Sequence, residues 1–328
     1  MKTQNALPRL LFSAYAVCGM LAVALPASAA TVTFGTGLNQ FTMEFVDVGN
    51  TTNLDDTSPA GYGGVSYAYQ MGTYEVSRGM VDKANAPVVA GGGNLGLTLA
   101  DMTSSGGNGV DRPATGISWN EAARFVNWLN TSQGFQAAYN FQTVGPNDNI
   151  SLWSSGDAWQ LDGENLYRHK DAHYFLPSED EWYKTAYNDG SASTYFNYAT
   201  GSDTAPTAVA IGTTPGTAVY EQDFATGPAD IMSAGGLSPY GTMAQNGNVW
   251  EWAESGFTAP NATAADDRVL RGGSWSRDSS NLQSSTRGTN PPTFEGTKIG
   301  FRVAAVPEPS TIGMMLIGAI GLMIRRKR

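Results

Sequence analysis

The stretch RVLRGGSWSRDSSNLQSSTRGTNPPTFEGTKIGFRVA, residues 268–304, has the composition of a segment that holds a surface in shape. Gly272 and Gly273 permit positive φ angles and close backbone approach, and Trp275 behind them can pack as an aromatic anchor. Serines, threonines and arginines follow, without a cysteine, until Gly300 near the end. This pattern predicts two short strands around an irregular loop, and it leaves open whether the loop surface is an active site.

The first thirty residues have the features of a secretory signal peptide. Lys2 and Arg9 give a positive start, an apolar run extends over 10–25, and small residues with an A-x-A pattern follow. We predict cleavage after Ala29 or Ala30, which makes residues 1–30 the signal peptide. An N-terminal membrane anchor is the alternative, but the cleavage pattern directly after the apolar run favours the signal.

The other end, VPEPSTIGMMLIGAIGLMIRRKR (residues 306–328), predicts a short transmembrane helix with a basic tail. Its uncharged run, 311–324, would rise about 21 Å as a helix, less than the ~30 Å of a bilayer core. The basic cluster predicts transient insertion into the inner membrane with the tail in the cytoplasm. The segment resembles the PEP-CTERM sorting signal of Gram-negative bacteria. That resemblance implies an exosortase as partner, removal of the tail, and release at the surface of cells that make exopolysaccharide.

Without its two ends, the chain leaves residues 31–305, enough for one large domain. This body has thirteen basic and twenty-eight acidic residues, a net charge near −15. Such a charge excludes nucleic acid and anionic lipid surfaces as partners. The one cysteine, Cys18, lies in the signal peptide, so the mature protein has neither disulfides nor thiolate metal ligands.

Two amphipathic helices stand out in the body, each with a capping box. Ser118 and Glu121 begin SWNEAARFVNWLN, and Ser178 and Glu181 begin the helix in LPSEDEWYKTAY. The long loop, residues 186–246, has no such pattern, and a loop of this length is usually functional or metal-braced. We predict short strands at 40–48, 66–73, 173–176, 268–271 and 299–304. The fold class is therefore α+β.

Six ordered motifs then suggest a family: MGTYEVSRGM, RPATGISWNEAARFVNWLN, YFLPSEDEWYKTAY, SPYGTMAQNGNVWEWAES, RVLRGGSW and IGFRVA. Together they resemble the sulfatase-modifying-factor family, which includes the formylglycine-generating enzymes. The resemblance runs from Phe41 to Ala304. It implies a single loop-rich domain similar to C-type lectins.

The family's oxidases bind copper with a pair of cysteines just beyond the Gly-Gly-Ser turn. Here Arg277 stands about where the first cysteine would be, in a segment about three residues shorter, so we expect no copper site.

His169 and His173 are spaced as metal ligands on a helix, but HKDAH lacks a zincin glutamate and AHYFLPS predicts a strand. No G-x-S-x-G motif is present. We therefore name no catalytic residue and no organic cofactor.

Calcium is the metal that the sequence supports best. Asn246, Asn248 and Glu251 offer hard oxygen ligands, and Gly247 can turn a backbone carbonyl inward. The resemblance also implies calcium at this loop, although Ala244 stands where the family has a ligand residue. The alternative is an Asn-Gly turn followed by buried tryptophans.

Three arginines stand out because positive charges are scarce on this acidic body. They could form structural ion pairs, which we favour, or line a pocket for an anionic ligand. They are Arg271, Arg287 and Arg302. Burial or sugar stacking are likewise the alternatives for the aromatic residues Trp153, Trp159 and Tyr240.

Two functions from different classes follow. The first is a non-catalytic binding or extracellular-matrix protein with a lectin-like fold, whose partner is exopolysaccharide or another surface component. The second is an oxidoreductase that modifies an exported partner. The missing cysteine pair favours the first, because copper chemistry of this family needs thiolates.

Overall fold

The structure is a computed structural model that describes residues 30–58, 60–86, 95–143, 145, 148–258 and 261–307. The predicted signal peptide, up to residue 29, and the predicted helix and basic tail after residue 307 lie outside the described residues. Within the described part, no helix is long and apolar enough to cross a membrane.

Fifteen short strands are present among the described residues. In chain order they are β1 (Ala30–Phe34), β2 (Phe41–Val48), β3 (Asp56–Thr57), β4 (Ala60–Tyr62), β5 (Tyr69–Gly72), β6 (Ala158–Trp159), β7 (Asn165–His169), β8 (Tyr174–Phe175), β9 (Thr207–Ala208), β10 (Thr217–Ala218), β11 (Trp250–Gly256), β12 (Arg268–Arg271), β13 (Gly288–Asn290), β14 (Ile299–Phe301) and β15 (Ala304–Ala305).

Two of the sheets are larger than a pair of strands. The first has the order β1-β2-β5-β15-β8 and is antiparallel throughout. The second has the order β13-β12-β11-β14, in which only β11 and β14 are parallel. The remaining strands pair as β3 with β4, β6 with β7, and β9 with β10.

Three α-helices accompany the sheets: α1 (Arg78–Asn85), α2 (Trp119–Ser132) and α3 (Glu179–Tyr187). Both predicted capping boxes are confirmed, at Ser118 with Glu121 and at Ser178 with Glu181. Such caps satisfy backbone N–H groups that a helix start leaves unpaired. The sequence prediction missed α1, whose N-cap Ser77 accepts a hydrogen bond from the Met80 backbone N–H.

The main hydrophobic core lies where α2 meets both sheets. Trp119 on α2 and Trp252 on β11 are fully buried, and each donates its indole N–H to a backbone carbonyl. Phe125 on α2 packs edge-to-face on Phe301 of β14, with ring centroids 5.5 Å apart. The helix thus ties the two sheets together through aromatic contacts, as expected for one α+β domain.

The predicted strand 299–304 is two strands, which belong to different sheets. Arg302 stands between β14 and β15, fully buried, and its guanidinium contacts the β11 side chain Glu251. The two Arg302–Glu251 hydrogen bonds are both 2.6 Å long. The other donors reach the carbonyls of Gly72, Thr73 and Met243, so all five N–H groups are used. The guanidinium interrupts the strand and joins β5 and the long loop to β11.

Breaking the Arg302–Glu251 pair should destabilise the fold strongly. In Arg302→Ala, Glu251 is left as an uncompensated buried charge, so we expect the free energy of unfolding to fall by about 3–5 kcal/mol. Urea denaturation of the wild type and the variant measures this difference in the free energy of unfolding. Lys170→Ala is the control, because the Lys170–Asp157 pair is exposed and contributes about 0–1 kcal/mol. A loss below about 1 kcal/mol for Arg302→Ala would contradict the role of this pair.

The first turn of α3 carries three acidic residues with different partners. Glu179 pairs with Arg271 and Arg287, and Glu181 pairs with Arg168. Among the described residues, Asp180 has no cationic partner, and its side chain accepts only the Gly63 N–H, at 2.9 Å. Burial, opposed by this hydrogen bond and reinforced by neighbouring carboxylates, raises the pKa of Asp180 from 3.8 to about 7. Ionised Asp180 therefore destabilises the folded state.

The raised pKa of Asp180 makes stability fall as pH rises from about 4 to about 7, because the unfolded chain releases this proton at lower pH than the folded chain. Asp180→Asn removes the titration and keeps an acceptor for Gly63. We expect the variant to gain stability over the wild type at pH 8 and to gain much less at pH 4.5, in urea melts. Asp267→Asn, on an exposed aspartate, is the control. An equal gain at both pH values would contradict the assignment.

Candidate functional site

Three of the sequence motifs meet at one buried cluster of charged and polar side chains. Glu75 of TYEVS accepts hydrogen bonds from the Asn248 side chain, at 2.6 Å, and from the Val249 N–H, at 3.3 Å. Burial, and then the charge of Glu251, raises the pKa of the Glu75 carboxyl well above its usual range, although Arg302 opposes the shift. The cluster holds β5, the NGNVWEW turn and β11 in register, without contact to the surface.

Segments 246–251 and 272–275, which we call the frame, pack backbone to backbone. The Gly247 N–H donates to the Gly272 carbonyl, and the Trp275 N–H donates to the Asn248 carbonyl, both at 2.8 Å. Gly247 has a φ of +84°, and a Cβ there would lie 2.2 Å from the carbonyl oxygen of Val219. Only glycine permits this approach, so the role of Gly247 is to seat the long loop on the frame.

The predicted calcium ligands are buried and already hydrogen-bonded to protein groups. Asn246 and Asn248 each accept a backbone N–H on Oδ1 and donate through Nδ2. Both Glu251 oxygens accept from Arg302, and Oε2 also accepts from the Trp182 indole at 2.6 Å. Among the described residues, no group of three His, Cys, Asp or Glu side chains could hold a metal ion.

As arranged here, these residues do not fit calcium, because the Arg302 guanidinium holds the position beside Glu251 that a cation would need. Calcium at this loop stays a prediction from the sequence.

The three arginines singled out in the sequence form structural ion pairs. Arg271 and Arg287 both donate to Glu179, at 2.8 Å and 2.7 Å through their Nε atoms, and Arg302 pairs with Glu251. Burial ranges from complete at Arg271 and Arg302 to partial at Arg287. The favoured alternative is confirmed, and these side chains are committed to the fold.

The two histidines do not share a helix. His169 ends β7 and lies edge-on to Trp153, with ring centroids 4.6 Å apart. His173 directly precedes β8 and stacks on Phe135 at 4.4 Å. The strand predicted by AHYFLPS is confirmed, and the geometry gives the pair no common direction for a metal.

A surface groove of about 550 Å³ lies beside the frame, on the side of Arg277. It is bounded by β12, β13, β14 and the segment before β14. We call it the groove and define it by Trp250, Leu270, Arg277, Phe294, Lys298 and Ile299. Its apolar members include the buried residues Leu270 and Ile299 as well as Phe294, which is 44% exposed.

The groove has two cationic side chains. Arg277 is exposed, and the Lys298 Nζ lies 5.6 Å and 5.9 Å from the ring centroids of Phe224 and Trp275. Burial, and then the charge of Arg277, lowers the pKa of Lys298. Glu295 also lines the groove and introduces one opposite charge. An anionic ligand would relieve the repulsion between Arg277 and Lys298.

Polar groups of the Gly-Gly-Ser turn stand without partners behind Arg277. Ser274 and Trp275 are fully buried, yet the Ser274 hydroxyl and the Trp275 indole N–H have no hydrogen-bond partner among the described residues. The same holds for the Ser276 hydroxyl. Such orphaned groups are uncommon in native proteins, and none of these three residues lines the groove.

The sequence analysis named Arg277 only as the residue about where the family has a cysteine, and it missed Lys298, Phe224 and Phe294. Lys298 could have been found from its position directly before the predicted strand at 299, where a strand end meets the surface. Phe224 belongs to the long loop, and nothing in the local pattern indicates that it lies against residues 275 and 298.

Comparison with known families agrees with this geometry. The family model for the sulfatase-modifying factor enzyme 1-like domain matches residues 38–306, and the PEP-CTERM protein-sorting motif matches residues 305–328. No curated protein matches the sequence at a significant level.

Solved structures share the fold. Treponema denticola variable protein 1 aligns with a TM-score of 0.56 at 21% identity, over 85% of this chain and 99% of its own. The protein CarF aligns with a TM-score of 0.52 at 17% identity, over 86% of this chain and 98% of its own. At these identities the likeness shows the fold alone, and it confirms the predicted α+β, C-type-lectin-like class.

Proposed function

The chain belongs to the sulfatase-modifying factor enzyme 1-like family, and we propose that it is a non-catalytic binding protein of the cell surface. Its PEP-CTERM motif implies recognition by an exosortase and export to the envelope or surface of a Gram-negative bacterium. In this function the groove binds an anionic surface component, and the domain does not carry out the oxidation chemistry of the family.

Arg277 in the groove carries this proposal. The resemblance puts the first copper-binding cysteine of the family about there, and the chain's single cysteine is Cys18, in the predicted signal peptide. A guanidinium stays protonated and cannot replace a soft thiolate for copper(I). Where the family's oxidases have a redox ligand, this chain therefore has a cationic side chain that lines a surface groove.

The groove's chemistry supports an acidic polymer as the ligand. Arg277 and Lys298 supply two positive charges on a body of net charge near −15. The overall field of the protein repels a polyanion, so the attraction comes only from direct contacts with these two side chains. Trp250 and Phe294 offer aromatic surface beside them. An acidic exopolysaccharide combines anionic groups with sugar faces that suit such a surface.

Binding and catalysis are tested on the same purified body, residues 31–305. We expect oligogalacturonate to bind and a neutral dextran oligomer not to bind, by calorimetry at low salt. Arg277→Gln should weaken the binding about tenfold, because one charge-assisted contact is lost, and Lys83→Gln, a lysine outside the groove, should not.

The catalytic arm uses copper, oxygen and a peptide with the sequence Cys-x-Pro-x-Arg. We expect the peptide cysteine to stay unmodified by mass spectrometry. Aldehyde formation above a control without enzyme would instead support the oxidoreductase alternative. Equal binding of oligogalacturonate by the wild type and Arg277→Gln would remove the groove from the proposal.

The sorting signal predicts a processed C-terminus. Because Pro307 and the following Glu-Pro precede an apolar run shorter than a bilayer, we expect the tail to be removed outside the inner membrane. Mass spectrometry of the native surface protein should find peptides up to about residue 305 and none from 311–328. An intact C-terminus at the surface would make the segment a simple anchor.

A further inference from the structure

A pocket of about 320 Å³ lies between the end of β1 and the C-terminus of α2, and it shares no lining residue with the groove. We call it the tryptophan pocket and define it by Gly35, Thr36, Trp128, Thr131, Ser132 and Gln133. None of these side chains is ionisable. A volume of this order is typical of a small-molecule site.

The apolar surface of the tryptophan pocket is the indole of Trp128, which is only partly buried. The indole lies nearly parallel to the ring of Phe41, at 21° and with ring centroids 5.8 Å apart. Phe125 supports it as well, with centroids 6.3 Å apart. The core thus holds the indole in place, and a rigid aromatic surface beside solvent can bind the apolar face of a ligand at little conformational cost.

The two walls of the tryptophan pocket are joined by a hydrogen bond. Gln133 donates through Nε2 to the Thr33 carbonyl, at 2.9 Å, which ties the end of α2 to β1. The opposite wall turns at Gly35, whose φ is +74°, and a Cβ there would lie 2.3 Å from the Asn39 carbonyl oxygen. Only glycine permits this turn, so the fold itself fixes the shape of the pocket.

Polar groups that can still bind a ligand surround the indole. The Thr131 and Ser132 hydroxyls each donate to a carbonyl of α2, at 3.0 Å, and keep oxygen lone pairs for a ligand. Gln133 uses its Nε2, and among the described residues neither its Oε1 nor the Thr36 hydroxyl has a hydrogen-bond partner. The lining is therefore rich in acceptors for the hydroxyl groups of a ligand.

The Trp128 indole N–H adds a free donor to these acceptors. It has no hydrogen-bond partner in the described part of the chain, and unlike the Trp275 indole N–H it is not enclosed by the protein. It is therefore available to water or to a ligand oxygen.

We propose that the tryptophan pocket binds a neutral, β-linked hexose unit of a polysaccharide. Because no lining residue is ionisable, a charged ligand would gain no ion pair here, and the body's net charge near −15 does not repel a neutral chain. A hexose ring presents a face of C–H groups to the indole, and it presents hydroxyls to the acceptors and to the indole N–H.

The linkage follows from the same surface. In a β-linked glucose chain every ring substituent is equatorial, so both ring faces are apolar and the chain continues flat on either side of an aromatic ring. An α linkage places the glycosidic oxygen in the axial position, which removes one of these faces and bends the chain away. We therefore expect the pocket to discriminate against α-linked glucans such as dextran.

The test titrates the ¹⁵N-labelled body, residues 31–305, with cellotetraose, the β-1,4-linked glucose tetramer, and follows the indole N–H signals by NMR. The chain has eight tryptophans, and the signal of Trp128 is the one that Trp128→Phe removes. We expect millimolar cellotetraose to shift this signal and to leave that of Trp250, in the groove, unchanged. Oligogalacturonate should shift Trp250 and not Trp128, so failure at one site is distinguished from failure at the other.

Two variants separate the aromatic contact from the fold. Trp128→Ala should weaken the binding of cellotetraose about tenfold because the stacking surface is lost, and Trp128→Phe should keep most of the affinity because it retains an aromatic ring. A thermal melt checks that both variants fold, since residue 128 packs on Phe41. Arg277→Gln, in the groove, is the control that should leave the binding of cellotetraose unchanged. If Trp128→Ala does not fold, the shift of the Trp128 signal in the wild type decides.

Three results would overturn the proposal. They are no shift of the Trp128 signal at millimolar cellotetraose, equal affinity for isomaltotetraose, the α-1,6-linked tetramer, and unchanged affinity for cellotetraose in a folded Trp128→Ala variant.

Discussion

Arg302 and Glu251 are joined far from water, and the segments around them take their positions from that pair. A charge in the interior is tolerated only when its partners are complete, so the carbonyls of Gly72, Thr73 and Met243 must all face Arg302. These carbonyls belong to the last residue of β5, the residue after it and the end of the long loop. The pair thus fixes a set of short and irregular segments whose own secondary structure is too small to order them.

The same device is repeated at two further places, which explains how an exported domain without disulfides keeps long loops in place. Glu179 accepts from Arg271 and Arg287, and Arg168 lies between Glu181 and Glu254. Each cluster joins residues at least 13 positions apart in the chain. Because the interior has a low dielectric constant, a displaced member leaves an unpaired charge, and the penalty opposes alternative arrangements of the loops.

The local features of the fold could be predicted from the sequence, and the long-range ones could not. Ser118 and Ser178 identify their helices because a capping box is complete within four residues. The sequence predicts a single strand at 299–304 because the apolar pattern is continuous. In the structure Arg302 interrupts that strand, because it pairs with Glu251, some fifty residues away in the chain. For the same reason, the sequence could not show that Asn248 and Glu251 are hydrogen-bonded to Glu75 and Arg302, which are distant in the chain.

The frame and the groove share Trp250, but their charged residues are different. None of the frame's charged residues lines the groove, and none of the groove's cations contributes to the buried pairs. A side chain such as Arg277 can therefore stand where the family's oxidases have a cysteine without disturbing the residues that hold the fold.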